Sequence, residues 1–253
     1  MILNINRIQL EGWLRLKEYS IPAWKVTYSE QKDSEYIKME KNNRVLGRSF
    51  HHSFEKWYKQ YKRIPTPQEF VALQMKDVRK NYNNEGWRKK YKINFQWTPI
   101  VEKGIKCRLL RSYKSFINEL HTELMIKDLY PKCDIIRDDE LDFSGVDLLV
   151  RDRKNKIDHN IHITKNSDYA IDFLFKKEGK ELEFRGYKSK LYAKPRWKKV
   201  NHSLYCDRDF TGHTFLFYSE NESEYVKKIN GYPLFKESYI KMKIDTITEL
   251  RTA

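Results

Sequence analysis

The chain has 253 residues and a mass of 30.8 kDa, is 40% hydrophobic and 14% aromatic, and carries only 9 Gly and 7 Pro, which excludes a collagen-like, Pro-rich or wholly disordered polypeptide. No window approaches the roughly 20 apolar residues of a membrane span, and Met1-Ile2-Leu3-Asn4-Ile5-Asn6-Arg7 lacks the apolar stretch of a signal peptide, so the expected location is cytoplasmic, with no membrane partner. The 50 Lys and Arg against 35 Asp and Glu give a net charge of +15, a surface whose natural partner is a polyanion.

The charge is unevenly distributed. Residues 48–114 carry 17 basic and 5 acidic side chains, residues 115–175 carry 8 and 13, and residues 176–200 carry 10 and 3. Two basic blocks thus flank one acidic block, the order required if cations track a phosphate path and carboxylates hold a metal within it. Cys107, Cys133 and Cys206 are odd in number and lack CxxC spacing, which argues against a disulfide framework or a structural zinc site. His202, Cys206 and His213 have no fourth partner nearby.

In chain order, residues 2–8, 24–28 and 36–39 read as short strands from their β-rich or alternating patterns. From Ser49 the period becomes helical, with Phe50, Phe54, Trp57, Tyr58 and Tyr61 on one side and a stop at Arg63-Ile64-Pro65. Thr66-Pro67-Gln68-Glu69 reads as an N-cap, a first-turn proline and a capping glutamate, opening a second helix through Phe70, Leu73, Gln74 and Val78. Residues 81–92 are basic and interleaved with Tyr82, Trp87 and Tyr91, which suits either an arm that stacks on bases or a solvated basic helix with its aromatics turned inward.

Between residues 105 and 130, Leu109, Leu110, Tyr113, Phe116, Ile117, Leu120, Leu124 and Leu129 keep a 3.6 period, predicting a long helix. The period then drops to two, with strands expected at 133–137, 146–150 and 160–164 around a charged turn at 151–159. Further strands are expected near 170–175 and 214–218, and a short helix at 221–228. A mixed sheet in an α/β or α+β domain follows from this order.

Glu119 and Glu123 share one face of the long helix, where they could converge on a metal or pair with Arg111 and Lys127. Asp147 follows Ser144-Gly145 inside an apolar strand, where a carboxylate needs a partner or a metal. His162 and Thr164 share one side of the third strand. His162 suits a ligand, a general base or a hydrogen-bonded strand histidine. Asp138-Asp139-Glu140-Leu141-Asp142 reads as a solvated loop.

In Ser115-Phe116-Ile117-Asn118-Glu119, Ser144-Gly145-Val146-Asp147-Leu148-Leu149-Val150 and Asn160-Ile161-His162-Ile163-Thr164-Lys165, the chain resembles the PD-(D/E)XK superfamily of restriction-endonuclease-like nucleases. The resemblance implies a restriction-endonuclease-like mixed sheet flanked by helices over residues 101–253. Residues 1–100 would then form a basic, mainly helical nucleic-acid-recognition region preceded by short strands. It further implies a metal-dependent endonuclease acting on DNA in a restriction, defence or mobile-element system. Asp147, Glu119 and His162 would hold Mg²⁺ or Mn²⁺, with Asp147, Glu119, Lys165 and His162 as the catalytic set. The nucleic acid, double-stranded DNA by the resemblance, would meet Arg88, Lys89 and Lys90, and Arg185, Lys188, Lys190, Arg196, Lys198 and Lys199.

The third strand departs from the family pattern. Where the family has an acidic or amide residue and, two places on, a lysine, this chain has His162 and Thr164, with Lys165 one place late. One place along a strand is the opposite face unless a bulge intervenes. Either Lys165 is re-aimed, or Lys176, Lys188 or Lys190 reaches in, or the site does not cut. Two further readings follow: a catalytically degenerate DNA-binding subunit of a larger complex, and a basic RNA-binding protein. Cutting both strands of a duplex favours a homodimer. No GxGxxG, Walker, GxSxG or HExxH motif is present.

Overall fold

The structure is a computed structural model that describes residues 4–22, 27–41, 50–90, 94–137, 146–152, 157–165, 181–184, 187–190, 197–200, 203–206 and 213–249. The chain divides into two compact units, one of Ile2–Ile5 and Glu11–Ile117, the other of Met1, Asn6–Leu10 and Asn118–Ala253. The division falls within a single helix.

The described part of the first unit is helical. Besides the second half of α1 (Arg7–Leu14), it holds α2 (Tyr28–Lys32), α3 (Ser34–Lys41), α4 (Phe50–Tyr61), α5 (Pro67–Tyr82), α6 (Glu85–Lys90) and the first part of α7 (Pro99–Leu129). The short strands expected at the N-terminus are corrected here. Arg7 and Ile8 open α1, residues 36–39 lie in α3, and Thr27 caps α2 through a capping box with Glu30. The alternation at Tyr36 and Met39 is one helical turn, and both side chains are buried. Residues 2–3 and 24–26 lie outside the described residues.

The α4–α5 hairpin forms where the pattern placed it. Lys62 turns the chain with φ 55°, and the Thr66 hydroxyl accepts from the Glu69 N–H while the Glu69 carboxylate accepts from the Thr66 N–H. Arg63 grips the same carboxylate with two nitrogens, at 2.7 and 2.6 Å. Inside the hairpin, Phe54 lies 4.4 Å from Phe116 and 5.5 Å from Tyr113, ring centre to ring centre, and Phe70 lies 5.1 Å from Tyr113. The Tyr113 hydroxyl donates to the Pro65 carbonyl and the Tyr19 hydroxyl to that of Ile64. Burial of the Tyr19 phenol pushes it up to about 12.

The second unit is mixed α/β. Its main sheet has the order β1 (Cys133–Ile136), β2 (Leu148–Asp152), β3 (Ile157–Lys165) and β8 (His213–Tyr218). β1–β2 and β2–β3 are antiparallel and β3–β8 is parallel. Two-stranded ribbons pair β4 (Glu181–Phe184) with β5 (Tyr187–Lys190), β6 (Trp197–Val200) with β7 (Ser203–Cys206), and β9 (Val226–Ile229) with β10 (Tyr232–Phe235). α8 (Glu237–Glu249) closes the described chain.

Leu148, Val150, Ile161, Ile163, Leu216 and Tyr218 form one sheet face, packed against Met125 and Ile126 of α7 and Tyr239, Ile240 and Ile244 of α8. The short helix expected at 221–228 does not form: residues 221–225 bend and lead into β9, which Asn230 and Gly231, both with positive φ, turn back into β10. That dipeptide is the favoured two-residue hairpin turn. The expected turn at 151–159 is shorter, since Arg151 and Asp152 extend β2 and residues 157–159 begin β3. The strand expected at 170–175 lies outside the described residues. No helix among the described residues is long and apolar enough to cross a membrane.

Candidate functional site

The antiparallel registers bring several chemistry-bearing residues to one end of the main sheet. Ile136 pairs with Leu149 and Leu148 with Ile161, so Arg137, just past β1, and Asp147, just before β2, fall at the end where β3 runs through His162 and Thr164. Asp147 lies one residue before the Leu148–Ile161 pair. Its N–H donates to the Ile161 carbonyl at 3.1 Å, and its Oδ2 accepts from the Ile163 N–H at 2.6 Å. The carboxylate thereby takes a main-chain donor that β2, which starts at Leu148, no longer reaches.

His162 is buried, its ring stacked on Phe215 with centroids 4.5 Å apart and planes 14° apart. Lys165 is not on that side. The β3–β8 register is unbroken from Asn160↔His213 to Lys165↔Tyr218, so no bulge re-aims it. It alternates in phase with Ile161 and Ile163, opposite to His162 and Thr164, and its Nζ pairs with Glu220 at 2.9 Å. Of the catalytic set, Asp147 bonds the β3 backbone on either side of His162, and Lys165 alternates away from His162.

Glu119 is engaged elsewhere. α7 is buried around its whole circumference from residue 118 to 126 except at Glu119, so its polar side chains must find partners inside the protein. Arg137, 3% exposed, supplies the charge. Its Nη2 donates to Glu119, and its Nη1 lies 3.8 Å from Glu123, whose other oxygen accepts from Lys127 at 2.6 Å. The Glu123–Lys127 pair is one the i,i+4 spacing foretells. Arg137 itself was not singled out from the sequence. The signal was available: it follows the alternation of Cys133 and Ile135, which face α7, and is the cation due to meet the two carboxylates there.

These arrangements decide how well the set fits a divalent ion. Mg²⁺ requires several hard oxygen ligands in near-octahedral geometry. Asp147 is tied to the Ile163 N–H, the guanidinium of Arg137 sits on the helix carboxylates, and His162 is a nitrogen donor stacked on a ring. Among the described residues no group of three His, Cys, Asp or Glu side chains is placed to hold a metal ion. As arranged, the residues do not fit the ion. No family model, curated protein or solved structure matches the chain significantly.

The other binding candidates lie in two places. Arg88, Lys89 and Lys90 are exposed on α6, so this segment is a short helix rather than an extended arm. Lys188 and Lys190 lie in β5 and Lys198 and Lys199 in β6, while Arg185, Arg196 and Lys176 lie outside the described residues. A separate cleft of about 880 Å³ lies beside the start of α7, lined by Glu30, Asp33, Trp97, Glu102, Lys103 and Lys106. Its glutamates are paired with its lysines, while Asp33 accepts from the Glu35 and Tyr36 N–H groups: the hydrogen bond from Lys103 holds Glu30 at about 2, and those from Lys106, Arg79 and Trp97 hold Glu102 at about 2. None of the residues predicted from the sequence lines it.

Proposed function

We propose that this chain is a nucleic-acid-binding protein whose helical unit grips the phosphate backbone, and that its α/β unit is a degenerate, non-cutting counterpart of the nuclease centre it resembles, serving a partner in a larger complex. The observation that carries the binding half is charge. Residues 11–117 hold 24 basic and 11 acidic side chains, so nearly all of the net +15 sits in one unit. The degenerate half rests on the occupied carboxylates and on Lys165, which alternates away from His162 and pairs with Glu220.

A metal-dependent endonuclease acting on DNA is the second reading, favoured by Asp147 bonding the β3 backbone on either side of His162 at the sheet end. The deciding experiment incubates the protein with supercoiled, linear and single-stranded DNA and with RNA, in Mg²⁺, Mn²⁺ or EDTA. Salt-sensitive binding without cutting supports the first reading. Metal-dependent cutting that Asp147→Ala abolishes overturns it in favour of the second.

A further inference from the structure

We propose that the α5–α6 corner docks double-helical nucleic acid through its phosphates and reads no bases. This rests on the binding reading above and adds the form of the ligand. Along α5, Lys76 and Lys80 are exposed one turn apart, about 6 Å on a helix surface, close to two 3.4 Å steps of one strand of a duplex. Asn83 ends α5 and Asn84 caps α6, its side chain accepting from the Trp87 N–H at 2.9 Å, so α6 follows after two residues with Arg88, Lys89 and Lys90 exposed. Five cations are thereby concentrated on two consecutive rigid elements.

Tyr82, at the end of α5 among these cations, is turned into the protein rather than offered for stacking. Tyr82 stacks on Phe95 at 5.4 Å and 30° and packs on Trp97 at 5.2 Å. Its hydroxyl donates to the Phe95 carbonyl and accepts from the Trp97 N–H, both at 3.2 Å. Arg88 lies 5.2 Å from the centre of the Tyr82 ring, and Arg79 lies 5.8 Å from that of Trp97, whose indole N–H donates to Glu102 at 3.1 Å. Tyr61 of α4 is an exposed aromatic, and its ring lies 4.4 Å from that of Trp57.

Single strands are held by bases stacking on accessible rings, at about 1–3 kcal/mol per base, in addition to charge. With Tyr82 and Trp97 packed inside the protein, a single strand forgoes the stacking that those two rings would supply. A duplex presents one phosphate per 1.7 Å of axis, twice the linear density of one strand, and is the better ligand for a stiff cation array.

The test is fluorescence anisotropy of a labelled DNA duplex, its isolated strand, an RNA duplex and a second DNA duplex of scrambled sequence, across about 50–200 mM salt. The wild type is compared with a Lys76→Gln/Lys80→Gln/Lys89→Gln variant whose fold is checked by circular dichroism. Duplexes should bind at least about tenfold tighter than the single strand, the two DNA sequences within about threefold of each other, and the triple variant should lower the log–log salt slope by about three. Equal or tighter binding of the single strand, or an unchanged slope in a folded variant, overturns this inference and leaves the binding reading standing. Binding of no nucleic acid overturns both.

Discussion

Replacing Arg137 with methionine probes the ion network at the heart of the α/β unit. Arg137 is 3% exposed and Glu123 1%, so the substitution takes a cation from the largely covered Glu119 and from the almost fully buried Glu123, which keeps Lys127 on its other oxygen. Removing one partner of a buried pair costs about 3–5 kcal/mol, because the remaining charge is left without compensation. For a chain of this size that corresponds to a fall in Tm of roughly 6–20 °C. The triple replacement Arg137→Met/Glu119→Leu/Glu123→Leu removes the charges together, and buried ion networks replaced this way are often neutral or better. Thermal and urea unfolding followed by circular dichroism should therefore rank the triple variant near wild type and the single variant well below. A loss under about 1 kcal/mol in the single variant, or a triple variant no more stable than the single, would refute the assignment of Arg137 as the resident cation.

The same network predicts that 5 mM Mg²⁺, about the scale at which weak divalent sites fill, raises the Tm of Arg137→Met more than that of wild type, since only the variant has vacated carboxylates; equal shifts in a differential scan would count against it. Asp147→Ala removes a charge-assisted hydrogen bond to the Ile163 N–H and should cost about 1.5–3 kcal/mol in urea titrations, whether or not the protein cuts DNA. Thr66→Ala breaks the capping box of α5 and should cost about 1 kcal/mol by the same measurement. Glu69 is held at about 2, chiefly by its hydrogen bonds from Arg63, and Glu102 at about 2, chiefly by that from Lys106, both below their ordinary 4.5. Their stabilisation is complete above about pH 4.5 and is lost as the pH falls towards 2, so an acid titration should show Glu69→Gln with a shallower loss over that interval than wild type.

Long-range periodicity made the architecture legible wherever a segment kept one period for its full length. The 3.6 repeat from Leu109 to Leu129 and the capping signature at Thr66 and Glu69 foretold α7 and the start of α5, and the alternation around Val146 and Ile161 foretold β2 and β3. Short segments misled because four residues cannot distinguish a strand from a helical turn. Tyr36 and Met39 alternate and also lie on one helix face, and a tertiary core decides between them. At the sheet end, the sequence showed which residues are chemically able but not what they already hold. Arg137 reaches Glu119 across eighteen residues, and Asp147 meets the Ile163 N–H only because β2 begins one residue later. Such pairings depend on strand ends, the least predictable part of a fold.

The 31 residues of α7 make one rod about 46 Å long whose hydrogen-bond ladder runs unbroken through the division at Ile117 and Asn118. This governs how the protein can be cut into pieces. A fragment ending near residue 100 forfeits Tyr113 and Phe116, and with them the rings on which Phe54 and Phe70 pack. One beginning at 118 starts mid-helix with Asn118, Thr122 and Glu123 newly close to a frayed end. Fragments meant to separate the two halves should therefore both carry the whole of residues 99–129, each keeping the half of the helix that completes its own core.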